Sequence, residues 1–364
     1  MRLKVSEKTA SQIETCAFCY LMCRHYCTIA SVQRVNYSTP RGKALILYEI
    51  VNGRIKMDRE LARIFYLCTN CGRCYIACET KASNPPEIFE EVRSAIVSEG
   101  LAPEEVEQVV KSLQKLGDRL VDEALVEDEF LDGKSEYLYY LGGEIRNAQV
   151  EIAQKTLALL KLLKVDVKIM REEPDDGAMF YLLGYRDLAE KAAKNLLSKL
   201  RKNNVRKLIV SDPLSYMAFK VYYPKLGLSL DDIEIMHLTE FLANKKIPSG
   251  KLKATTVYHD PCFLGRRSAG IYEEPRELLR RIPGLELKEL TFNREHSLCC
   301  GGLLRPIDEY WANKIAMKLA DELRSLEVDF VTTACPRCKA SLNQAGIKAY
   351  DIAEVLVESL SGVS

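Results

Sequence analysis

Much that would assign a ready function is missing from these 364 residues, which hold one tryptophan and four histidines. Lys and Arg number 52 against 51 Asp and Glu, a net charge of +1, so no overall field draws the chain to nucleic acid or to an anionic membrane. No apolar run approaches the ~18 residues of a membrane-crossing helix. The best candidate, Ile152 to Val165, is interrupted by Lys155, Lys161 and Lys164 and reads as a core-facing amphipathic helix, with an interfacial role as the alternative. The opening MRLKVSEKTASQIET lacks the apolar segment of a secretory signal, so a cytoplasmic location is expected, with peripheral contact at the cytoplasmic membrane face still open. No G-x-G-x-x-G opens a helix after a strand, and no serine triad, acid–base constellation or phosphate loop stands out. What remains is a folded globular composition, 47% hydrophobic and 28% charged, long enough for two or three domains at ~150 residues each.

Cysteine is abundant. All thirteen fall into three groups: Cys16, Cys19, Cys23 and Cys27; Cys68, Cys71, Cys74 and Cys78; and Cys262, Cys299, Cys300, Cys335 and Cys338. Clustered thiols without a secretory signal point to metal or redox chemistry rather than a disulfide scaffold.

The second group, CTNCGRCYIACE, has the C-x2-C-x2-C-x3-C spacing of a bacterial ferredoxin, with Gly72 suited to a tight loop around a cluster. Structural zinc would more commonly use two separated pairs. The first group, CAFCYLMCRHYC, carries one extra residue between its second and third cysteines. Two such motifs exchange their fourth ligands. Cys16, Cys19, Cys23 and Cys78 are therefore expected to hold one [4Fe–4S] cubane, and Cys68, Cys71, Cys74 and Cys27 another. His25 reads as a surface or supporting residue.

Helix-compatible segments (Gly42 to Val51, Arg59 to Leu67) enlarge this ferredoxin-type domain, which Asn84-Pro85-Pro86 is expected to end; Glu87 to Ser98 and Pro103 to Leu116 then read as helices. The acidic run Asp122 to Asp132 reads as a solvated face or connector. From Tyr137 the runs YLYYL, VDVKIM, KLIVS, VYH, LELKEL and DFVTTA read as strands between helical stretches, the pattern of parallel α/β modules. The second half places Cys262, Cys299-Cys300-Gly301 and Cys335-Pro336-Arg337-Cys338 where the first has Gly143, Asp175-Asp176-Gly177 and Asp212-Pro213-Leu214-Ser215. The offsets are 37 against 32 and 35 against 36 residues. This reads as a duplication in which one copy has lost its thiols, its aspartates serving as scaffold rather than binding a hard cation.

Five thiols exceed the needs of one tetrahedral zinc and suit a larger iron–sulfur assembly, with zinc plus a redox thiol as the alternative. His259 and His296 flank these cysteines as hydrogen-bonding groups, and Arg266, Arg267, Arg305, Arg337 and Lys339 could make the site's mouth basic.

The stretch VYHDPCFLGRRSAGIYEEPRELLRRIPGLELKEL…NREHSLCCGG…TTACPRCKASL resembles the cysteine-rich CCG domain. With the ferredoxin pair in front, residues 10–364 resemble the D-type subunits of heterodisulfide reductase and the iron–sulfur subunits of glycolate oxidase and anaerobic glycerol-3-phosphate dehydrogenase. The resemblance implies a noncubane [4Fe–4S] centre on Cys262, Cys299, Cys300, Cys335 and Cys338. Leu303-Leu304-Arg305 stands where that family continues with more glycine, and is expected to narrow access.

The expected architecture is α+β: a two-cluster domain (1–100), a helical connector (101–136), a CCG module without cysteines (137–250) and a CCG module with five (251–364). The expected role is an electron-transfer subunit, relaying single electrons from a flavin-bearing partner (FAD) to the CCG centre and an acceptor such as quinone. The alternative is a catalytic heterodisulfide reductase subunit that cleaves a disulfide at the CCG centre. A zinc-stabilised interaction module is the third reading.

Overall fold

The computed structural model describes residues 3–20, 23–79, 81–116, 126–248 and 250–361. It is a mixed α/β protein in which a helical N-terminal part precedes two parallel sheets.

The helical part starts with Glu7–Phe18, capped by Ser6, and Pro40–Val51, capped by Thr39, which pack on each other. Each cap oxygen takes an otherwise orphaned amide of the first turn. Arg59–Tyr66 follows with Asp58 as its cap. Pro85 and Pro86 belong to the next helix, which starts two residues before the expected Glu87: Pro85–Ser98 carries both in its first turn, where proline's missing N–H costs nothing. This helix is a strut. Arg93 donates to the carbonyls of Phe65, Cys68 and Leu182, so the loop entering the second cysteine group and the first α/β module are tied to one buried guanidinium. Glu104–Leu116 comes next. Of the acidic run, Asp122 to Leu125 lie outside the described residues; beyond them Glu127 and Glu129 pair with Lys161, while Phe130 and Leu131 are buried and Leu131 bridges to Ile169. This stretch is half surface and half sheet edge.

The first sheet is formed by β1 (Tyr137–Tyr140), β2 (Val167–Lys168), β3 (Lys207–Val210) and β4 (Glu234–His237), in the order β2-β1-β3-β4. The second is formed by β5 (Ala254–His259), β6 (Leu285–Lys288), β7 (Phe330–Thr333) and β8 (Ala349–Asp351), in the order β6-β5-β7-β8. All pairings are parallel, with Tyr139 opposite Ile209 and Tyr258 opposite Thr332. β4 and β8 escape a reading of hydrophobic runs because EIMH and AYD are short and mixed in polarity; neighbouring strands rather than local pattern make them strands.

The helix after β1, Val150–Leu162, packs on the helix after β8, Ile352–Ser361. Reciprocally, the helix after β4, Leu238–Ala243, packs on the helix after β5, Glu273–Arg280. In each sheet the loops after the first and third strands leave adjacent carboxyl ends, where the strand order reverses and open α/β sheets gather ligands.

Candidate metal centres

Three cavities are walled by thiols. Cavity one, about 960 Å³ including its open mouth, is lined by Cys16, Cys19, Cys23 and Cys78, with Cys74 on a further side. Helix Glu7–Phe18 carries Cys16 in its last turn and Cys19 at its C-cap, and Cys23 opens the short helix Cys23–Tyr26. The extra spacer falls on Leu21 and Met22, outside the described residues, yet Cys23 still reaches the cavity. Burial, with Cys23 close by, pushes the Cys16 thiol up to about 12. Burial also raises Cys23, opposed by the backbone N–H of Arg41 at the start of helix Pro40–Val51.

Cavity two, about 360 Å³ including its open mouth, is lined by Cys27, Cys68, Cys71 and Cys74, together with Thr69, Ile29 and the buried Lys43. Burial pushes Cys27 up to about 12 against the nearby Lys43 ammonium. Gly72 lies in this loop at φ +77°, and a Cβ there would meet Arg267 Cδ at 2.8 Å, so both backbone sign and space require glycine.

Cavity three, about 350 Å³ including its open mouth, is lined by Cys262, Cys299, Cys300, Cys335 and Cys338, all but Cys262 buried. Cys262 follows β5. Cys335 follows β7 as the N-cap of helix Pro336–Gln344, which carries Cys338 in its first turn. The amides of Gly301 and Gly302 donate to the sulfurs of Cys299 and Cys300, 3.4 Å each. Under these loops Arg276 makes a bidentate pair with Asp260, 2.6 and 2.8 Å, and Asp260 also takes the amide of Arg294. Leu303 lines the cavity, and Asp212 and Leu214 of the first module wall another side.

The cavities form a series. Cys74 lines both one and two, and Thr69 lines both two and three. The nearness of Cys299 holds the Cys71 thiol well below the ordinary thiol range, and Cys262, Cys300 and Cys71 together push Cys299 well above it.

The five cations expected to make a basic mouth are instead engaged in contacts between elements. Arg266 donates to the Cys71 carbonyl, 2.6 Å, and to Ser297 Oγ, 3.0 Å. Arg267 pairs with buried Glu90, 2.6 Å; Arg337 pairs with Asp212, 2.6 Å; Lys339 joins Glu151 and Glu354; Arg305 bonds Asn313. A lone sequence cannot show which acid each cation meets. Asp175 and Asp176 accept the amides of Gly177 and Ala178, and Asp212 caps the helix after β3 besides holding Arg337, which agrees with a scaffold role. Of the histidines, His296 is half exposed, whereas a ring nitrogen of His259 and the sulfurs of Cys300 and Cys338 lie within 4.8 Å of one another. Thr69, Glu90, Asn70 and Lys43, all at these cavities or the junction beside them, carry no sequence signal of their own.

The residues fit iron–sulfur groups. Thiols pushed to about 12 stay protonated unless a metal ion holds them as thiolates. Beside cavity three, Arg266 Nη2 and His259 Nδ1 are buried without a partner, which an anionic sulfur-rich group would supply.

Comparison with known proteins agrees. Residues 12–82 match the 4Fe-4S dicluster domain, and residues 256–343 match the cysteine-rich (CCG) domain. The chain is 29% identical over 332 residues to a probable iron-sulfur-binding oxidoreductase, FadF, of Bacillus subtilis, covering 82% of this chain and 46% of that protein. It is 27% identical over 321 residues to the D-type subunit of the dihydromethanophenazine:CoB–CoM heterodisulfide reductase of Methanosarcina barkeri, covering 80% and 77%. It is also 27% identical over 359 residues to the EtfAB:quinone oxidoreductase of Syntrophomonas wolfei, covering 86% and 48%. The chain thus spans about half the length of the first and third of these relatives. In fold it is similar to a crystal structure of a hypothetical protein from Helicobacter pylori, with a TM-score of 0.58 at 12% identity over 98% of this chain and 77% of that one. No described helix is long and apolar enough to cross a membrane. The thiol-lined cavities and the two matches together place a 4Fe-4S dicluster domain at residues 12–82 and a cysteine-rich CCG domain at residues 256–343 of this chain.

Proposed function

We propose that the chain is the iron–sulfur electron-transfer component of a multisubunit, flavin-linked oxidoreductase. Cys16, Cys19, Cys23 and Cys78 would hold one [4Fe–4S] cubane, and Cys68, Cys71, Cys74 and Cys27 the other. Cys262, Cys299, Cys300, Cys335 and Cys338 would hold the CCG-site group, noncubane [4Fe–4S] rather than zinc. The chemistry these groups supply is one-electron transfer. The observation that carries the reading is the adjacency of three thiol-lined cavities, Cys74 lining both the first and the second and Thr69 both the second and the third. In this reading FAD belongs to a partner and the acceptor is a quinone, in keeping with the name of the Syntrophomonas relative.

The units would be 1–100, 101–136, 137–250 and 251–364. The last two would be a duplicated pair, supported by the shared strand order and reciprocal helix packing. Reduction of a disulfide at the CCG site is the second reading, favoured by the Methanosarcina relatives that carry the name heterodisulfide reductase. Leu303 and the first module's Asp212 and Leu214, which wall cavity three, weigh against it.

The test is anaerobic reconstitution with iron and sulfide analysis and EPR. At least about eight irons are expected from the two cubanes alone. Cys16→Ser and Cys78→Ser should remove one signal, and Cys27→Ser and Cys68→Ser the other. Well under eight irons, or a pairing of Cys27 with Cys16, would sink the scheme.

A further inference from the structure

We propose that Lys43 is a potential-setting residue, its charge making the group held in cavity two the first of the three to accept an electron. The proposal rests on the electron-transfer reading above.

The ease with which an iron–sulfur group takes an electron follows the charge and the hydrogen bonds around its sulfurs. The three linings differ in this respect. Cavity one carries Arg41 and Glu79, both exposed, so the two charges oppose each other and water screens both. Cavity three carries Arg337 and Asp212, paired at 2.6 Å. Cavity two carries Lys43 and, among the described residues, no acid.

Lys43 lies near the start of helix Pro40–Val51 and is 1% exposed. Its ammonium donates to the Ser38 carbonyl, 3.0 Å, and the Cys27 thiol reaches the same oxygen at 3.8 Å, so charge and sulfur meet on one carbonyl. Burial raises the Cys27 thiol, and Lys43 is the charge that most opposes it. The ammonium's other close neighbour is the Phe89 ring, with 5.9 Å to its centroid. A cation so placed acts through a medium far less polarisable than water, which strengthens its pull on added negative charge. Water reaches this cavity at the partly exposed Cys27 and Cys68, but not the ammonium itself.

The neighbours reinforce the sign. Buried Arg73, whose donors go to the carbonyls of His296 and Tyr26, and Arg266, which holds the Cys71 carbonyl, both stand beside Cys71. Arg266 also faces Cys262 and Cys299 and so favours cavity three as well; Lys43 is the cation within the lining of cavity two. Glu90, the buried acid that takes the Asn70 side-chain amide beside this loop, is offset by Arg267 at 2.6 Å.

The step is the gain of one electron, without a proton, by the group in cavity two. The donor is the reduced flavin that the electron-transfer reading already requires, which loses that electron. Reduced first and placed in the middle of the series, this group holds one electron while a second arrives, as a two-electron acceptor such as a quinone needs.

The test is a potentiometric titration of the full reconstituted chain followed by EPR, with Cys68→Ser identifying the cavity-two signal. In the wild type that signal should be the first to appear as the potential is lowered. Lys43→Met, which keeps the length and removes the charge, should make reduction of this centre at least about tenfold less favourable, a midpoint about 59 mV lower. The midpoint assigned to cavity one should move less than about twofold in the same units, and the drop should persist in about 0.5 M salt, since a buried charge is screened little. A smaller drop in Lys43→Met, an equal drop at cavity one, or another centre reduced first in the wild type overturns the proposal. Lys43→Gln is the second neutral variant; loss of the cavity-two iron in both would make Lys43 a structural requirement and overturn it too. If the wild type shows no reducible signal assignable to cavity two, the electron-transfer reading itself falls.

Discussion

Gly72→Ala probes the junction between the ferredoxin-type region and the five-cysteine module. Two separate penalties meet at this residue. A non-glycine residue at φ +77° carries about 1–2 kcal/mol of backbone strain. The new Cβ would also stand 2.8 Å from Arg267 Cδ, closer than ordinary van der Waals contact, so the arginine must retreat. Arg267 is not free to do so cheaply. Its guanidinium is 2.6 Å from Glu90, with side-chain exposures of 9% and 2%, and breaking such a buried pair outright costs about 3–5 kcal/mol. Partial retreat therefore brings the total to about 2–4 kcal/mol. Unfolding of a chain with several domains is not two-state, so the proper readout is local: hydrogen exchange of helix Pro85–Ser98, which carries Glu90. At 1.4 kcal/mol per decade, protection there should fall about thirtyfold or more. In an Arg267→Met background only the backbone strain should remain, so the two changes should be less than additive by at least about 1 kcal/mol. A loss of protection under threefold in the single variant, or simple additivity in the double, would refute the reasoning.

Other outcomes follow from the same structure. Arg276→Met leaves Asp260 buried without its bidentate partner beneath the Cys262 and Cys299 loops; a stability loss of about 3–5 kcal/mol, read by local hydrogen exchange, is expected. Asp212→Asn should free Arg337 to turn towards Glu144 and perturb the EPR signal of the five-cysteine centre, leaving the signals of the other two cavities unchanged. Burial pushes the carboxyls of Asp351 and Glu173 up to about 7, above their unfolded values near 4. Between those limits the folded state binds more protons than the unfolded, so the stability these groups contribute is full below about pH 4 and is lost as pH rises towards 7. Asp351→Asn should flatten that part of the pH profile, measured by denaturant titration.

What was legible in the sequence was the thiol grammar. The spacing of Cys68 to Cys78 is that expected of a cluster-binding loop, and the expected crossing-over of the two fourth cysteines has its counterpart in the cavity linings, Cys78 in the first and Cys27 in the second. The strands were legible where Leu, Ile, Val and Tyr run together, as in β1 and β3. β4 and β8 were not, because they owe their state to neighbours in the sheet. The helix expected over Glu87 to Ser98 starts two residues earlier, at Pro85, because the same two prolines can serve as a stop in a loop or as a favourable first turn of a helix. Nothing in the run of residues distinguishes Arg266, Arg267 and Arg337 from surface cations; only folding supplies Ser297, Glu90 and Asp212 opposite them.

By itself the sequence determined which chemistry the chain is equipped for, since local spacing sets which sulfurs can close on one inorganic group. The order of the three sites was decided in tertiary structure alone. Cys71 and Cys299, more than two hundred residues apart, line neighbouring cavities, held there by Arg266 on the Cys71 carbonyl and by Arg267 on Glu90. Contacts of that range depend on packing and buried charge pairing, which no local pattern encodes.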